Sequence, residues 1–182
     1  ERTVVTVLVL AALAYLAGSL PSSWLAGRAA GVDLTKRGSG NLGGTNVFRV
    51  LGWRYALPVV FADVGKGFVP AYFFASWDGS GAPELALLYG IAAIAGHVWS
   101  VFLRFRGGKG VATAGGVLLA LTPVAAAVGA LVWAALVFLT RIVSVASLSA
   151  ATVLPVTSWL LDAQSEKVAF TAVLAAFVWW TH

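Results

Sequence analysis

The stretch GSGNLGGTNVFR, residues 38–49, holds four glycines, two asparagines, a serine, a threonine and an arginine in twelve positions. Small residues let backbone N–H groups turn inward with no side chain in the way, which is how anion nests form. Gly38 and Gly40 give that freedom, while Ser39, Asn41, Thr45 and Asn46 add neutral hydrogen-bonding groups. Arg49 adds a planar fork suited to phosphate or carboxylate. A flexible linker is also rich in glycine and serine, but it has no use for two amides and a guanidinium.

A second candidate is FLRFRGGKGVATAGG, residues 102–116, with Arg104, Arg106 and Lys109 around Gly107, Gly108 and Gly110. A nucleotide P-loop reads G-x-x-x-x-G-K-[ST], but Leu103 stands where its first glycine belongs and Gly110 follows Lys109 in place of Ser or Thr. What remains is a Gly-Gly-Lys-Gly turn ahead of a helix, where free N–H groups and the positive end of the dipole favour a phosphate.

Asp63 and Lys66 in FADVGKGF are three residues apart on one helical face, inside an apolar block. Ionisable groups at such depth face a polar cavity and pair with something. Two readings stand for them: a structural ion pair that shapes the cavity, or direct contact of Lys66 with a substrate phosphate. Gly65 and Gly67 on the same segment permit close helix packing. His97 is a general base, a hydrogen-bond partner of a substrate oxygen, or a histidine bonded to a helix carbonyl. The H-x-x-x-x-D pattern of many glycerolipid acyltransferases is absent, because Phe102 stands at the Asp position, and no G-x-S-x-G elbow is present. Two histidines and no cysteine argue against a metal site, and no cofactor is expected. The turn TRIVS, residues 140–144, brings Arg141 and Ser144 to one face and either closes an anion pocket or orients helices.

The elements that must position these residues are apolar. The chain is 60% hydrophobic, with a mean hydropathy of +0.91, and its apolar blocks run at about 3–26, 55–76, 85–103, 111–139, 145–161 and 168–181. Several match the roughly 20 residues that a bilayer crossing needs. The first run reads as a membrane helix rather than a signal peptide, and with no methionine anywhere Glu1 is not expected to be the gene's own start. The block at 111–139 is too long for one upright helix, and Thr122-Pro123 offers a break. Arg28, Lys36, Arg37, Arg49 and Arg54 share one connection, Arg104, Arg106 and Lys109 another, and Arg141 a third, whereas WDGSGAPE and LDAQSEK are acidic or neutral. The positive-inside rule places the three basic connections in the cytoplasm.

The expectation is therefore an all-α integral membrane protein of seven transmembrane helices, N-terminus outside and C-terminus cytoplasmic, with short central helices around Pro123. It forms one polytopic domain over 1–182, with cytoplasmic loops at about 27–54, 104–110 and 140–144; six crossings with one long tilted helix is the rival count. Trp77 and Trp99 near block ends read as interfacial anchors. The excess of 12 Lys and Arg over 7 Asp and Glu then belongs to a cytoplasmic face. It points to membrane lipid and an anionic substrate, with no nucleic acid as partner.

GSGNLGGTNVFR, DVGKG, GHVWSVFLRFRGGKGVAT and TRIVS, in that order, resemble the bacterial acyl-phosphate-dependent glycerol-3-phosphate acyltransferases, the PlsY family, from about residue 15 to the end. The resemblance implies transfer of a fatty acyl group from acyl phosphate to the 1-hydroxyl of sn-glycerol 3-phosphate at the inner membrane of a bacterial cell. Lysophosphatidic acid and phosphate are the products, formed on the cytoplasmic side, in the first step of phospholipid biosynthesis. It also implies seven helices with the N-terminus outside. Ser39 and Arg49 match the family's essential serine and arginine, and Gly107, Gly108 and Gly110 match its loop for glycerol 3-phosphate, with Lys109 and Arg104 beside it. The family's last motif opens with a histidine followed by Arg, Asn and Glu; His182 matches its first position and the sequence ends there. Ser39, Arg49, His97 and His182 are thus the catalytic candidates. The rival activity is a transporter of a phosphorylated solute, which should show two equivalent halves; no such repeat is visible.

Overall fold

The computed structural model describes residues 2–80, 82, 84–161 and 164–182. Glu1 lies outside the described residues. So do Gly81, Pro83, Asp162 and Ala163, which fall in the acidic or neutral connections WDGSGAPE and LDAQSEK. The described residues are mostly helical, with no strand among them. Among the described residues, five helices are long and apolar enough to cross a membrane: Thr3–Ala29, Trp53–Trp77, Leu85–Leu103, Pro123–Thr140 and Val143–Leu161; Val111–Leu121 is a shorter apolar helix.

The chain divides into two compact units, Glu1–Val117 and Leu118–His182. In the first, α1 (Arg2–Ser19) stops just before Pro21, and α2 (Ser22–Ala29) resumes the same span after it. The first apolar run is thus not the continuous helix its composition suggests, because Pro21 brings no N–H to the ladder. A loop over 30–43 leads to α3 (Gly44–Leu51), and α4 (Trp53–Val69) follows directly. At Pro70 the missing donor widens the helix into a π turn, Pro70–Phe74, before a last α turn at Ala75–Trp77. Then come α5 (Leu85–Val98), a 3-10 turn at Val101–Leu103, and α6 (Val111–Leu121).

Glycines set how closely these helices approach. A Cβ on Gly96 of α5 would collide with Tyr15 O and Ser19 N of α1, and one on Gly18 of α1 would collide with Ala93 O of α5. The pair α4 and α6 repeats the device: Gly67 faces Thr113 O, and Gly116 faces Val64 O and Phe68 N. Backbone lies against backbone at both crossings, the close packing that small residues permit in membranes. Gly65, expected to share that role, has nothing within 4 Å of its would-be Cβ, because it points off the contact face.

In the second unit the break expected at Thr122-Pro123 is present: α7 (Pro123–Thr140) starts with its proline in the first turn, where no N–H is needed. Arg141 closes α7 in the left-handed region, φ 59°, and donates its N–H to Val137 O at 2.9 Å. The helices α8 (Val143–Leu161) and α9 (Ser165–Thr181) complete the unit. Gly129 of α7 takes Leu154 of α8 against its face, and Trp133 Nε1 donates to Ser147 Oγ at 3.2 Å.

Overpacking of this kind costs about 1–3 kcal/mol, so Gly96→Ala should lower the thermal unfolding midpoint in detergent. Gly65→Ala, with open space around it and alanine the better helix former, should leave the midpoint unchanged or raise it slightly.

Candidate active site

The loop between α2 and α3 is built around one amide. Asn46, 1% exposed, accepts the Ser39 N–H at 2.8 Å and donates to Leu34 O at 3.2 Å and Arg37 O at 3.1 Å. Both amide hydrogens are therefore spent on the loop itself, and Asn46 shapes the anion-binding candidate from beneath. Leu34 and Leu42, at the two ends of the loop, are buried with Val47, Ala56 and Val59. Gly38 has φ +61°, and a Cβ there would run into Asn46 Oδ1, so this glycine is required by both conformation and space. Asp33 accepts the Thr35 hydroxyl at 2.6 Å and the Thr35 N–H at 3.0 Å. Those bonds, hydroxyl first, hold its carboxyl below the usual carboxylate range. Ser39, Thr45 and Arg49 are exposed, and Gly40 and Asn41 half-buried, on a loop pinned from below.

A cleft opens where this loop, the α1–α2 break, α4 and the end of α5 meet. Lys66, His97, Gly107 and Gly108 line it, together with Ser19–Trp24 of the break, Leu42, Ser100 and Leu103. Lys66 Nζ lies 2.8 Å from Asp63 Oδ1, with both side chains almost fully buried, and donates to Leu20 O at 3.0 Å. The Ser22 hydroxyl donates to the same Asp63 oxygen. His97 Nδ1 stands 3.7 Å from it, beyond hydrogen-bond reach, and is buried without a hydrogen-bond partner among the described residues, as is Ser23 Oγ.

The glycine loop is held to this cleft by backbone. Gly108 N–H donates to His97 O at 3.2 Å. A Cβ on Gly108 would meet His97 Nε2 and Leu42 O, and one on Gly107 would meet His97 O. The two glycine-rich stretches, about sixty residues apart in sequence, therefore touch through Leu42 and Gly108. Ser100 ties the approach to the loop: its carbonyl accepts the N–H groups of Leu103 at 3.1 Å and Phe105 at 2.7 Å, and its hydroxyl donates to Ser19 O at 2.6 Å. Arg104 and Phe105 sit consecutively in the left-handed region, φ 55° and 60°, a conformation that costs a side-chain-bearing residue energy and gathers at functional sites. Gly110, φ +80°, accepts the first helical bond of α6 from Ala114 N–H at 2.8 Å. The N–H groups of the first turn of α6 thus have no acceptor within the helix.

Residues 8–182 match the glycerol-3-phosphate acyltransferase family. The chain belongs to this family. A glycerol-3-phosphate acyltransferase of Desulforudis audaxviator is 44% identical, over 97% of this chain and 88% of the relative. One from Thermus thermophilus is 44% identical over 93% and 84%. Two crystal structures of PlsY (YgiH), an integral membrane glycerol 3-phosphate acyltransferase, superpose at 36% identity over 97% of this chain. The glycerol 3-phosphate form does so with a TM-score of 0.89, covering 88% of that chain, and the lysophosphatidic acid form with 0.87, covering 87%.

Of the site residues expected from sequence, this acyltransferase-family chain brings Lys66, His97, Gly107 and Gly108 into one cleft. Gly110 opens the helix beside it; Lys109 is half-buried and Arg104 exposed, and neither lines the cleft. Ser144 and His182 belong to the second unit. Ser144 is exposed in the first turn of α8, and the His182 ring lies 3.0 Å from Val178 O at the end of α9. The sequence reading missed Ser19, Ser22, Ser23 and Ser100. The run SLPSS, three serines around a proline inside an apolar block, was the available signal for the first three.

Asn46→Asp should expose the clamp. The carboxylate cannot donate, so Leu34 O and Arg37 O lose their partner at about 1–3 kcal/mol for an unmet buried group. The expected outcome is faster hydrogen exchange across residues 34–40, with a lower melting temperature.

Proposed function

We propose that the protein transfers a fatty acyl group from acyl phosphate to the 1-hydroxyl of sn-glycerol 3-phosphate, giving lysophosphatidic acid and inorganic phosphate. The observation that carries this reading is the cleft in which a buried ammonium, an imidazole and a glycine loop at a helix start converge, in a chain of this family. Two phosphorylated substrates need two anion sites, and the adjoining 38–49 and 107–110 stretches offer them.

In the proposed reaction the glycerol 1-hydroxyl oxygen attacks the acyl carbonyl carbon. The carbon–oxygen bond to phosphate breaks as the new ester forms, and the hydroxyl proton leaves to a base. An acyl phosphate is already activated, so the protein's tasks are alignment and neutralisation of the departing phosphate. The first-turn N–H groups of α6, Gly107, Gly108 and Lys109 take the phosphate of glycerol 3-phosphate. Ser39 and Arg49, with the 38–41 backbone and Thr45, take the phosphoryl group of the donor. His97 Nε2, facing the glycine loop, is the base candidate within the cleft, with Arg104 beside that loop; Ser144 and His182, in the second unit, are candidates from the sequence pattern alone. The acyl tail lies among the membrane helices.

This reading carries a topology of seven crossings, counting α6 and α7 as a short hairpin, with the N-terminus outside and the site on the cytoplasmic side of the bacterial inner membrane. The basic loops and the break at Pro123 support it.

The test is purified protein in lipid with acyl phosphate and glycerol 3-phosphate, followed for lysophosphatidic acid; uptake of glycerol 3-phosphate into sealed vesicles without product would instead mark a transporter. Lys109→Ala should raise KM for glycerol 3-phosphate with little change in kcat. Transfer is direct, so Ser39→Ala should lose most activity, while intact-mass spectra of the wild type with acyl phosphate alone show no acyl adduct. An acylated Ser39 would replace direct transfer with an acyl-enzyme.

A further inference from the structure

One carboxylate oxygen gathers three helices at the cleft. Asp63 Oδ1, on α4, accepts the Ser22 hydroxyl of α2, pairs with Lys66 at 2.8 Å, and stands 3.7 Å from His97 Nδ1 of α5. Lys66 spends a second N–H on Leu20 O, so the pair also grips the chain where Pro21 interrupts α1. Hiding a carboxylate and an ammonium is costly, and apolar side chains of similar size join helices at least as well. What the charged pair adds is direction. Its reach extends to the glycine loop, because Gly108 hangs on the His97 carbonyl and leaves no room for a side chain beside His97 Nε2.

We propose that Asp63 is the positioning residue for the glycerol 3-phosphate subsite: it holds Lys66 and the Ser22 end of the α1–α2 break beside His97, and through them fixes the width of the cleft against Gly107 and Gly108. Asp63 itself meets no substrate. The proposal rests on the function proposed above and adds a residue that neither glycine-rich stretch contains.

The experiment compares wild type, Asp63→Asn and Ser22→Ala, each as the full chain in lipid nanodiscs, by steady-state kinetics in both substrates and by hydrogen exchange without substrate. Asp63→Asn keeps the shape and loses the charge, and should raise KM for glycerol 3-phosphate about 10-fold or more. KM for acyl phosphate should stay within about 2-fold. Ser22→Ala removes one of the two side chains bonded to Asp63 and should move the same constant in the same direction by less, which keeps the proposal testable if Asp63→Asn fails to fold. Both variants should exchange faster at residues 20–24 and 104–110 and at wild-type rates in α8 and α9. Wild-type constants with wild-type exchange in both variants would overturn the proposal. So would equal losses in both substrates with faster exchange throughout, the mark of a purely structural pair. A wild type that makes no lysophosphatidic acid refutes the proposed function instead, and the exchange pattern then still decides whether Asp63 positions the cleft.

Discussion

Pro21 interrupts a membrane-spanning helix, and the first unit is arranged around satisfying what that interruption frees. In a bilayer no water waits to bond a released carbonyl, and each unmet group costs several kcal/mol. Here Ser19 O takes the Ser100 hydroxyl and Leu20 O takes the Lys66 ammonium. A lysine at that depth needs a counter-charge, which Asp63 supplies one helical turn away. The same carboxylate then takes the Ser22 hydroxyl just beyond the break. The helix break at Pro21 is thus met by a buried ion pair and two serine contacts, and these line the polar cleft.

Close approach of backbones makes those contacts possible. Gly18 and Gly96 let α1 and α5 touch, which brings Ser100 within reach of Ser19, while Gly67 and Gly116 draw α6 against α4. The loop before α6 is therefore delivered to the cleft as a backbone surface. Its glycines at 107 and 108 leave room for His97 and Leu42, and the Gly108 N–H fastens the loop to His97 O. Two left-handed residues, Arg104 and Phe105, sit where the chain must turn sharply between the Ser100 carbonyl and that loop. Energy is spent at the turn so that the loop can be held where it is.

Much of this was legible in order along the chain. Asp63 and Lys66 three apart on a helix read as a pair, and they are one. The break before Pro123, the helix start at Gly110 and the place of His97 at the end of its helix follow from local rules about proline, glycine and apolar length. The first apolar run was the exception. SLPSS, a proline among three serines, marked the break, but the apolar length on both sides of it reads as one membrane helix. Asn46 was the other misreading. An amide in a glycine-rich stretch is equally suited to a ligand and to the loop's own carbonyls, and only the positions of Leu34 O and Arg37 O decide between them.

By itself the sequence determined an all-helical membrane chain, the glycine-rich stretches and the family they mark. Those are matters of local periodicity, length and charge, which neighbouring residues suffice to express. The tertiary structure decided which of these parts share a cleft. Leu42 meets Gly108, and Ser22 meets Asp63, across dozens of residues, because helix crossings are set by where glycines fall on opposing faces. No single segment carries that information.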